Sequence, residues 1–208
     1  MIVIHGRANS SNVQKVLWLF DEIGLPFERV DRGGKFGGLD DPDYLALNPN
    51  GLVPTVIDGD LVLWESQAIL RHYARQNPGA ALFPGNPADA ARSDMVMDWN
   101  ITTLWPPIAV AYRAVEREGV PRAADAVQQA LDQAGRAIAI LEGLLGGRDY
   151  VTGGQGGGSF GIGDIPPAIS LSRWVFLGRN LAEWPAVDAW YRRCSARPAF
   201  QARVVVSG

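Results

Sequence analysis

The sequence contains a single cysteine, Cys194, among its 208 residues. One cysteine cannot form an internal disulfide, and it excludes Cys-x-x-Cys redox and zinc motifs. No apolar run approaches the roughly 18 residues that indicate a membrane-spanning helix. The first residues, MIVIHGRANSS, lack a charged segment followed by a long apolar stretch, so we predict no secretory signal and a cytoplasmic location.

Charge of one sign is not in excess either, with 19 basic and 22 acidic residues and a net charge of −3. Because no basic tract is present, the sequence predicts no binding to nucleic acid and none to a membrane. The two histidines, His5 and His72, have no further ligand residue at metal-binding spacing, so no metal is expected. The apolar fraction of 47% is that of a globular protein and excludes wholesale disorder.

Glycine is abundant, with 24 copies, many of them in two segments at residues 33–38 and 146–163. A phosphate-binding loop needs a spacing such as GxxxxGK[ST] or GxGxxG between a strand and a helix. Neither segment has that spacing, so we interpret both as surface loops.

The two halves of the chain differ in pattern. The first half predicts a strand at residues 2–4, a helix at 13–23, a strand at 27–30, a short helix at 42–47, a hairpin at 55–63 and a helix at 66–76. The second half predicts helices at 88–118, 122–145, 164–177 and 185–194. The sequence leaves open whether the first of these helices bends at Pro106-Pro107. We therefore predict an α/β domain at 1–77, a linker at 78–87 and an all-α domain at 88–208.

The segment NPNGLVPT, residues 48–55, leads directly into the predicted hairpin. Pro54 lies at a strand start, where a proline is tolerated and where a cis bond can turn the chain. A cis bond there would leave the backbone of Val53 as a free strand edge on which an extended peptide could pair. An ordinary trans bond at a strand start is the alternative.

The segment WESQAI, residues 64–69, joins the hairpin to the following helix. A helix N-terminus attracts a carboxylate through its free amides and dipole. The hydroxyl of Ser66 adds a donor, and the carboxylate of Glu65 can accept an ammonium group. The pair therefore suits an α-amino-acid group with both charges, although a plain helix cap explains it as well.

These two segments, behind a strand–helix–strand start, resemble the glutathione S-transferase family, in which NP-x-G-x-VP precedes a hairpin and ESxAI follows it. The run GRANSSNVQKVLW, residues 6–18, is similar to that of many bacterial members. The resemblance implies an α/β thioredoxin-like N-terminal domain followed by an all-α C-terminal helical domain. It also implies glutathione as co-substrate and a homodimer.

Several binding residues follow from the resemblance position by position. The cis-proline of the family falls on Pro54, and the backbone that pairs with the cysteinyl part of glutathione falls on Val53. The pair that grips the γ-glutamyl end falls on Glu65 and Ser66. Two residues of the first glycine-rich segment fall where members often contact the glycyl end, although a solvated loop explains them equally: Lys35 and Phe36.

The sequence leaves open which residue activates the glutathione thiol. Members use Tyr, Ser or Cys at the end of the first strand, but the first tyrosine here is Tyr44 and the only cysteine is Cys194. The sequence therefore differs from the family classes that use a tyrosine at this position, and it does not fit those that use a cysteine. Ser10, then Asn12, then Ser11 remain as candidates, by similarity to theta-like and nu-like members. A helix cap is the alternative for each.

The second half carries fewer specific residues. Four of them lie on the predicted first long helix, where the family lines its electrophile site: Trp99, Trp105, Tyr112 and Arg113. The run from Phe160 to Ile165 resembles the family's S/T-x-x-D capping box, with Gly161 in the cap position and Asp164 at the helix start.

The resemblance thus implies a glutathione transferase that adds the thiolate to a small hydrophobic electrophile, as in detoxification. A glutathione-dependent disulfide reductase or peroxidase of the nu-like type would use the same thiolate. A non-catalytic binding protein that kept the fold is the alternative outside the enzymes.

Overall fold

A computed structural model describes residues 1–151 and 158–204 of the chain. Four glycines of the second glycine-rich segment lie outside the described residues, so the interpretation of that segment as a loop stays a prediction: Gly153, Gly154, Gly156 and Gly157. The chain divides into two compact units, Met1–Phe83 with Pro198–Gly208, and Pro84–Arg197. This division assigns the C-terminal segment to the first unit, whereas the predicted boundaries group it with residues 88–208.

The first unit is built on a four-stranded mixed sheet with the strand order β2-β1-β3-β4. Its elements are β1 (Ile2–His5), α1 (Ser11–Glu22), β2 (Phe27–Val30), α2 (Pro42–Leu47), β3 (Thr55–Asp58), β4 (Leu61–Trp64), α3 (Ser66–Gln76) and the C-terminal α9 (Pro198–Arg203). β1 pairs with β2 in parallel and with β3 antiparallel, and β3 and β4 form the predicted hairpin.

Helix α1 forms the centre of this unit. Its apolar side chains at helical spacing, among them Val13, Val16, Leu17 and Phe20, are fully or almost fully buried. It packs against α3, and its Trp18 ring meets Phe200 of α9 edge to face, with centroids 5.0 Å apart.

An ion pair supports the contact between α1 and α9. The guanidinium of Arg203 donates to both carboxylate oxygens of Asp21, at 2.6 and 2.9 Å. The sequence pattern did not predict α9, since six residues show no periodicity that could reveal it.

The second unit is helical. It contains α4 (Pro87–Trp99), α5 (Trp105–Arg117), α6 (Asp125–Leu145), α7 (Ile165–Phe176) and α8 (Pro185–Ser195). The prediction of one helix over 88–118 is wrong in detail, because a π-helical segment, Asn100–Leu104, separates α4 from α5. Pro106 and Pro107 have no N–H, so the carbonyls of Thr102 and Thr103 lose their usual helical partners there.

Asp164 organises the start of α7 and is fully buried. Its carboxylate accepts hydrogen bonds from the backbone N–H groups of Val151 and Gly161, at 2.8 and 2.9 Å, and from the Trp190 indole at 2.7 Å. The bond from the Gly161 N–H to Asp164 is the one that the acidic residue of a capping box makes back to the cap position, so the structure agrees with the predicted pairing of Gly161 and Asp164. No helix of the described residues is both long enough and apolar enough to cross a membrane.

Candidate functional site

Ser10 lies directly before the first turn of α1, where it is the N-cap residue and 9% exposed. Its backbone is fixed on both sides, since its N–H donates to the Arg7 carbonyl at 3.2 Å and its carbonyl accepts from Gln14 at 2.9 Å. Its side chain makes no capping hydrogen bond. Ser10 thus takes the cap position with its backbone, and its hydroxyl is not used to cap the helix.

Asn12 and Ser11 follow in the first turn of α1, and both are half-buried. The Nζ atom of Lys15 donates to Oδ1 of Asn12 at 2.9 Å. A lysine ammonium has donors only, so the amide oxygen must face it and the Nδ2 group must turn the other way. Asn12 consequently offers two N–H donors at the helix N-terminus.

The predicted cis peptide bond is present between Val53 and Pro54. Gly6, at the end of β1, has a φ of +153°, and a Cβ there would lie 2.4 Å from Val13 Cγ2 and 3.2 Å from Val53 Cβ. Only a glycine at this position lets the end of β1 pass so close to both α1 and Val53. Helix α1 and Val53 thereby both lie against the end of β1.

A buried hydrogen-bond cluster shapes the loop before Pro54. The Tyr44 hydroxyl and the Asn48 amide both donate to the Leu52 carbonyl, at 2.6 and 2.9 Å, and Asn48 also donates to Thr55 Oγ1 at 3.0 Å. These bonds occupy the neighbours of Val53, whereas Val53 itself has no backbone hydrogen bond to any described residue. Its backbone is the free edge that the motif predicts.

Glu65 and Ser66 lie at the start of α3, next to this edge. The hairpin register pairs Thr55 with Trp64, so the residues before Thr55 run beside those after Trp64. Glu65 has a φ of +70°, exposes its side chain and forms no capping bond with it. A left-handed conformation is rare for a residue other than glycine, and such conformations cluster at ligand sites. Ser66 is 3% exposed.

Lys35 and Phe36 lie in a short 3₁₀ turn, Gly34–Phe36, within the first glycine-rich segment. The Phe36 ring is 47% exposed, and the Lys35 ammonium lies 5.3 Å from its centroid. The side chain of Arg7 covers this turn, because a Cβ on Gly34 would lie 2.9 Å from Arg7 Cδ. Arg7 was not among the sequence candidates, and no local pattern marks it.

The four electrophile-site candidates do not share one helix. Trp99 ends α4, whereas the other three lie on α5 beyond the π-helical segment. The Tyr112 ring packs against Phe176 of α7, with centroids 5.6 Å apart. Arg113 is exposed, and its Nε donates back to the Ala109 carbonyl of its own helix at 3.1 Å. Trp99 and Trp105 are half-buried.

The described residues contain no group of three or more His, Cys, Asp and Glu side chains that could hold a metal ion. Burial and, to a lesser degree, the charge of Arg32 lower the pKa of His5, so its imidazole is neutral at pH 7. Cys194 is buried.

Comparison with known proteins covers both units. A family model described as "Glutathione S-transferase, N-terminal domain" matches residues 9–76. The chain is similar to glutathione S-transferase GstB of Escherichia coli (strain K12), at 36% identity over 211 residues and 99% of both chains. It is 32% identical to glutathione S-transferase 3 of Zea mays, over 97% of this chain and 92% of that one.

A solved structure gives the same result. The theta class glutathione S-transferase from Xanthomonas axonopodis pv. citri, with glutathione bound, is similar with a TM-score of 0.89 and 40% identity. The alignment covers 99% of each chain. The likeness therefore extends beyond the N-terminal segment that the family model matches.

Proposed function

The chain belongs to the glutathione S-transferase family, and from this premise we propose that it is a glutathione transferase that adds the glutathione thiolate to a small hydrophobic electrophile. In this reaction the sulfur forms a bond to an electrophilic carbon, and a leaving group departs with its electron pair or a proton is taken up. The observation that carries the proposal is the pair of uncommitted donors, the Ser10 hydroxyl and the Asn12 amide, at the N-terminus of α1.

The first unit binds glutathione at the end of the sheet. The Glu65 carboxylate accepts from the ammonium of the γ-glutamyl end, and Ser66 with the α3 amides holds its carboxylate. The backbone of Val53, held in place beside Pro54, pairs with the cysteinyl part. The exposed Glu65 side chain, the unpaired Val53 backbone and the hairpin register that runs them side by side support this assignment.

Thiol activation follows from the donors on α1. A free thiol has a pKa near 8.5, so little thiolate exists at pH 7. A hydrogen bond to a charged group is worth about 1.5–3 kcal/mol, which lowers the pKa by about one to two pH units. We assign Ser10 as the first donor and Asn12 as the second, with Ser11 as the remaining candidate. Lys35 and Phe36 are assigned to the glycyl end.

The second unit supplies the electrophile site in this proposal. Trp99, Trp105 and Tyr112 offer half-buried aromatic surface, and Arg113 offers an exposed cation. Aromatic surface with few polar groups suits a hydrophobic molecule. We further infer a homodimer in the cytoplasm with a role in detoxification, in keeping with the family. Exposed apolar side chains of the first unit support self-association, among them Leu52 and Trp64.

A disulfide reductase or peroxidase reaction is the second candidate. The burial of Cys194 fits this candidate, because a reductase of this type uses the glutathione thiol and needs no cysteine of the protein. Turnover of a chlorodinitrobenzene, of 2-hydroxyethyl disulfide and of cumene hydroperoxide separates the two reactions. We expect the first substrate to be turned over, with loss of activity in a Ser10→Ala/Asn12→Ala double variant. Turnover of only the disulfide or peroxide would favour the second candidate, and turnover of none would favour a binding protein.

A further inference from the structure

Lys15 is buried although the apolar spacing of α1, at positions 13, 16, 17 and 20, predicts an exposed side chain at position 15. It is 2% exposed and lies between Gln14 and Val16, both fully buried, in the second turn of α1. Removing an ammonium group from water is costly unless it gains hydrogen-bond partners. A buried lysine near a ligand site therefore calls for a physical reason.

Asn12 is one hydrogen-bond partner of the buried ammonium. The two residues are three positions apart and so share one face of α1. The 2.9 Å hydrogen bond from Lys15 Nζ to Asn12 Oδ1 is charge-assisted and stronger than a bond between neutral groups. The terminal torsion of an asparagine side chain is broad and roughly two-fold, so an amide without such a bond can turn over easily.

We propose that Lys15 is a positioning residue that holds the Asn12 amide with its Nδ2 donors directed to the glutathione sulfur. The turned-over amide would bring its NH₂ group against the ammonium, donor against donor, and would present its oxygen to the thiolate. Lys15 thus decides whether Asn12 stabilises the thiolate or repels it. The inference rests on the proposed function, in which Asn12 is a thiolate donor.

The test is a cycle of variants read out by the pKa of the bound thiol, from the ultraviolet absorbance of the thiolate at saturating glutathione. We expect Lys15→Met to raise that pKa by about one pH unit, because one donor is lost while Ser10 remains. Asn12→Ala should give the same rise, and the double variant should equal Asn12→Ala alone. Additive rises would mean that Lys15 acts through its charge and would overturn the inference.

Two further variants keep the test valid if Lys15→Met does not fold. Lys15→Arg keeps a donor-only cation, so it should retain the wild-type thiol pKa. Lys15→Gln can accept as well as donate, so it lets the Asn12 amide turn over and should raise the thiol pKa. Equal thiol pKa values in these two variants would contradict the inference.

The outcome also separates this inference from the proposed function. If the wild-type protein does not bind glutathione, or leaves its thiol pKa at the free value, the proposed function itself is wrong. If the wild type lowers the thiol pKa and the Lys15 variants do not change it, only the positioning role is wrong.

Discussion

Replacement of Asp164 by asparagine should change how the stability of the protein depends on pH. The carboxylate is fully buried, and three N–H donors, from Val151, Gly161 and Trp190, point at it. Burial raises the pKa of Asp164 to about 6, against the opposing effect of these donors. Asparagine has a similar shape and cannot ionise, so it removes the titration of this carboxyl. Its NH₂ group replaces one accepting oxygen and so adds a cost that does not depend on pH.

The sign and size follow from that pKa. In the unfolded chain an aspartate has a pKa of about 3.9, so between about pH 4 and pH 6 the folded state retains a proton that the unfolded state has released. The free energy of unfolding therefore falls as the pH rises through this range and is constant above it. A difference of about two pH units corresponds to about 3 kcal/mol.

The assay is urea unfolding from about pH 4 to pH 7, followed by tryptophan fluorescence, for which Trp190 is a direct reporter. The free energy of unfolding of the wild type minus that of Asp164→Asn should fall by about 3 kcal/mol over the range. A flat difference would mean that the three donors fully offset the burial. A rising difference would mean that they hold the pKa below its unfolded value, and either result would refute the reasoning.

Three further predictions concern the site. Glu65→Gln should weaken glutathione binding at least tenfold in calorimetry, because a charge-assisted bond to the ammonium is lost; unchanged affinity in a folded variant would remove the assignment. Gly34→Ala should impair turnover more than Gly37→Ala, since both have a φ near +60° but only the Cβ at Gly34 meets Arg7; equal effects would leave backbone strain as the whole cause. Cys194→Ala should keep the kcat of the folded enzyme, because the thiol is buried; loss of turnover at full stability would contradict this.

The sequence predicts those parts of the architecture that depend on residues close together in the chain. The apolar spacing of α1, the Asp58-Gly59 turn of the hairpin and the motif before α3 each depend on residues close in the chain. The α/β first half and the helical second half are confirmed. The cis bond at Pro54 was expected only through the family resemblance, because most X-Pro bonds are trans.

The remaining features depend on contacts that a linear pattern does not contain. The apolar spacing of α1 predicts an exposed side chain at Lys15, whereas the structure buries it and brings its ammonium to Asn12. Helix α9 is held by the contact of Phe200 with Trp18 and by the ion pair between Arg203 and Asp21, which lie 182 positions apart in the sequence. No local sequence pattern predicts the positive φ of Glu65 either.

The order among Ser10, Asn12 and Ser11 is also a matter of side-chain placement. The sequence offers three candidate donors in successive positions, and spacing alone does not rank them. The Lys15 contact assigns the orientation of the Asn12 amide, and the absence of a capping bond at Ser10 leaves its hydroxyl available.

The most direct test of the central claim is the pKa of the glutathione thiol when bound to the wild-type protein, from thiolate absorbance as a function of pH. A hydroxyl and an amide donor at a helix N-terminus should lower it from about 8.5 to about 7. The Ser10→Ala/Asn12→Ala double variant should return it close to the free value while glutathione still binds. A wild-type value equal to that of free glutathione, or a double variant that titrates like the wild type, would contradict the account.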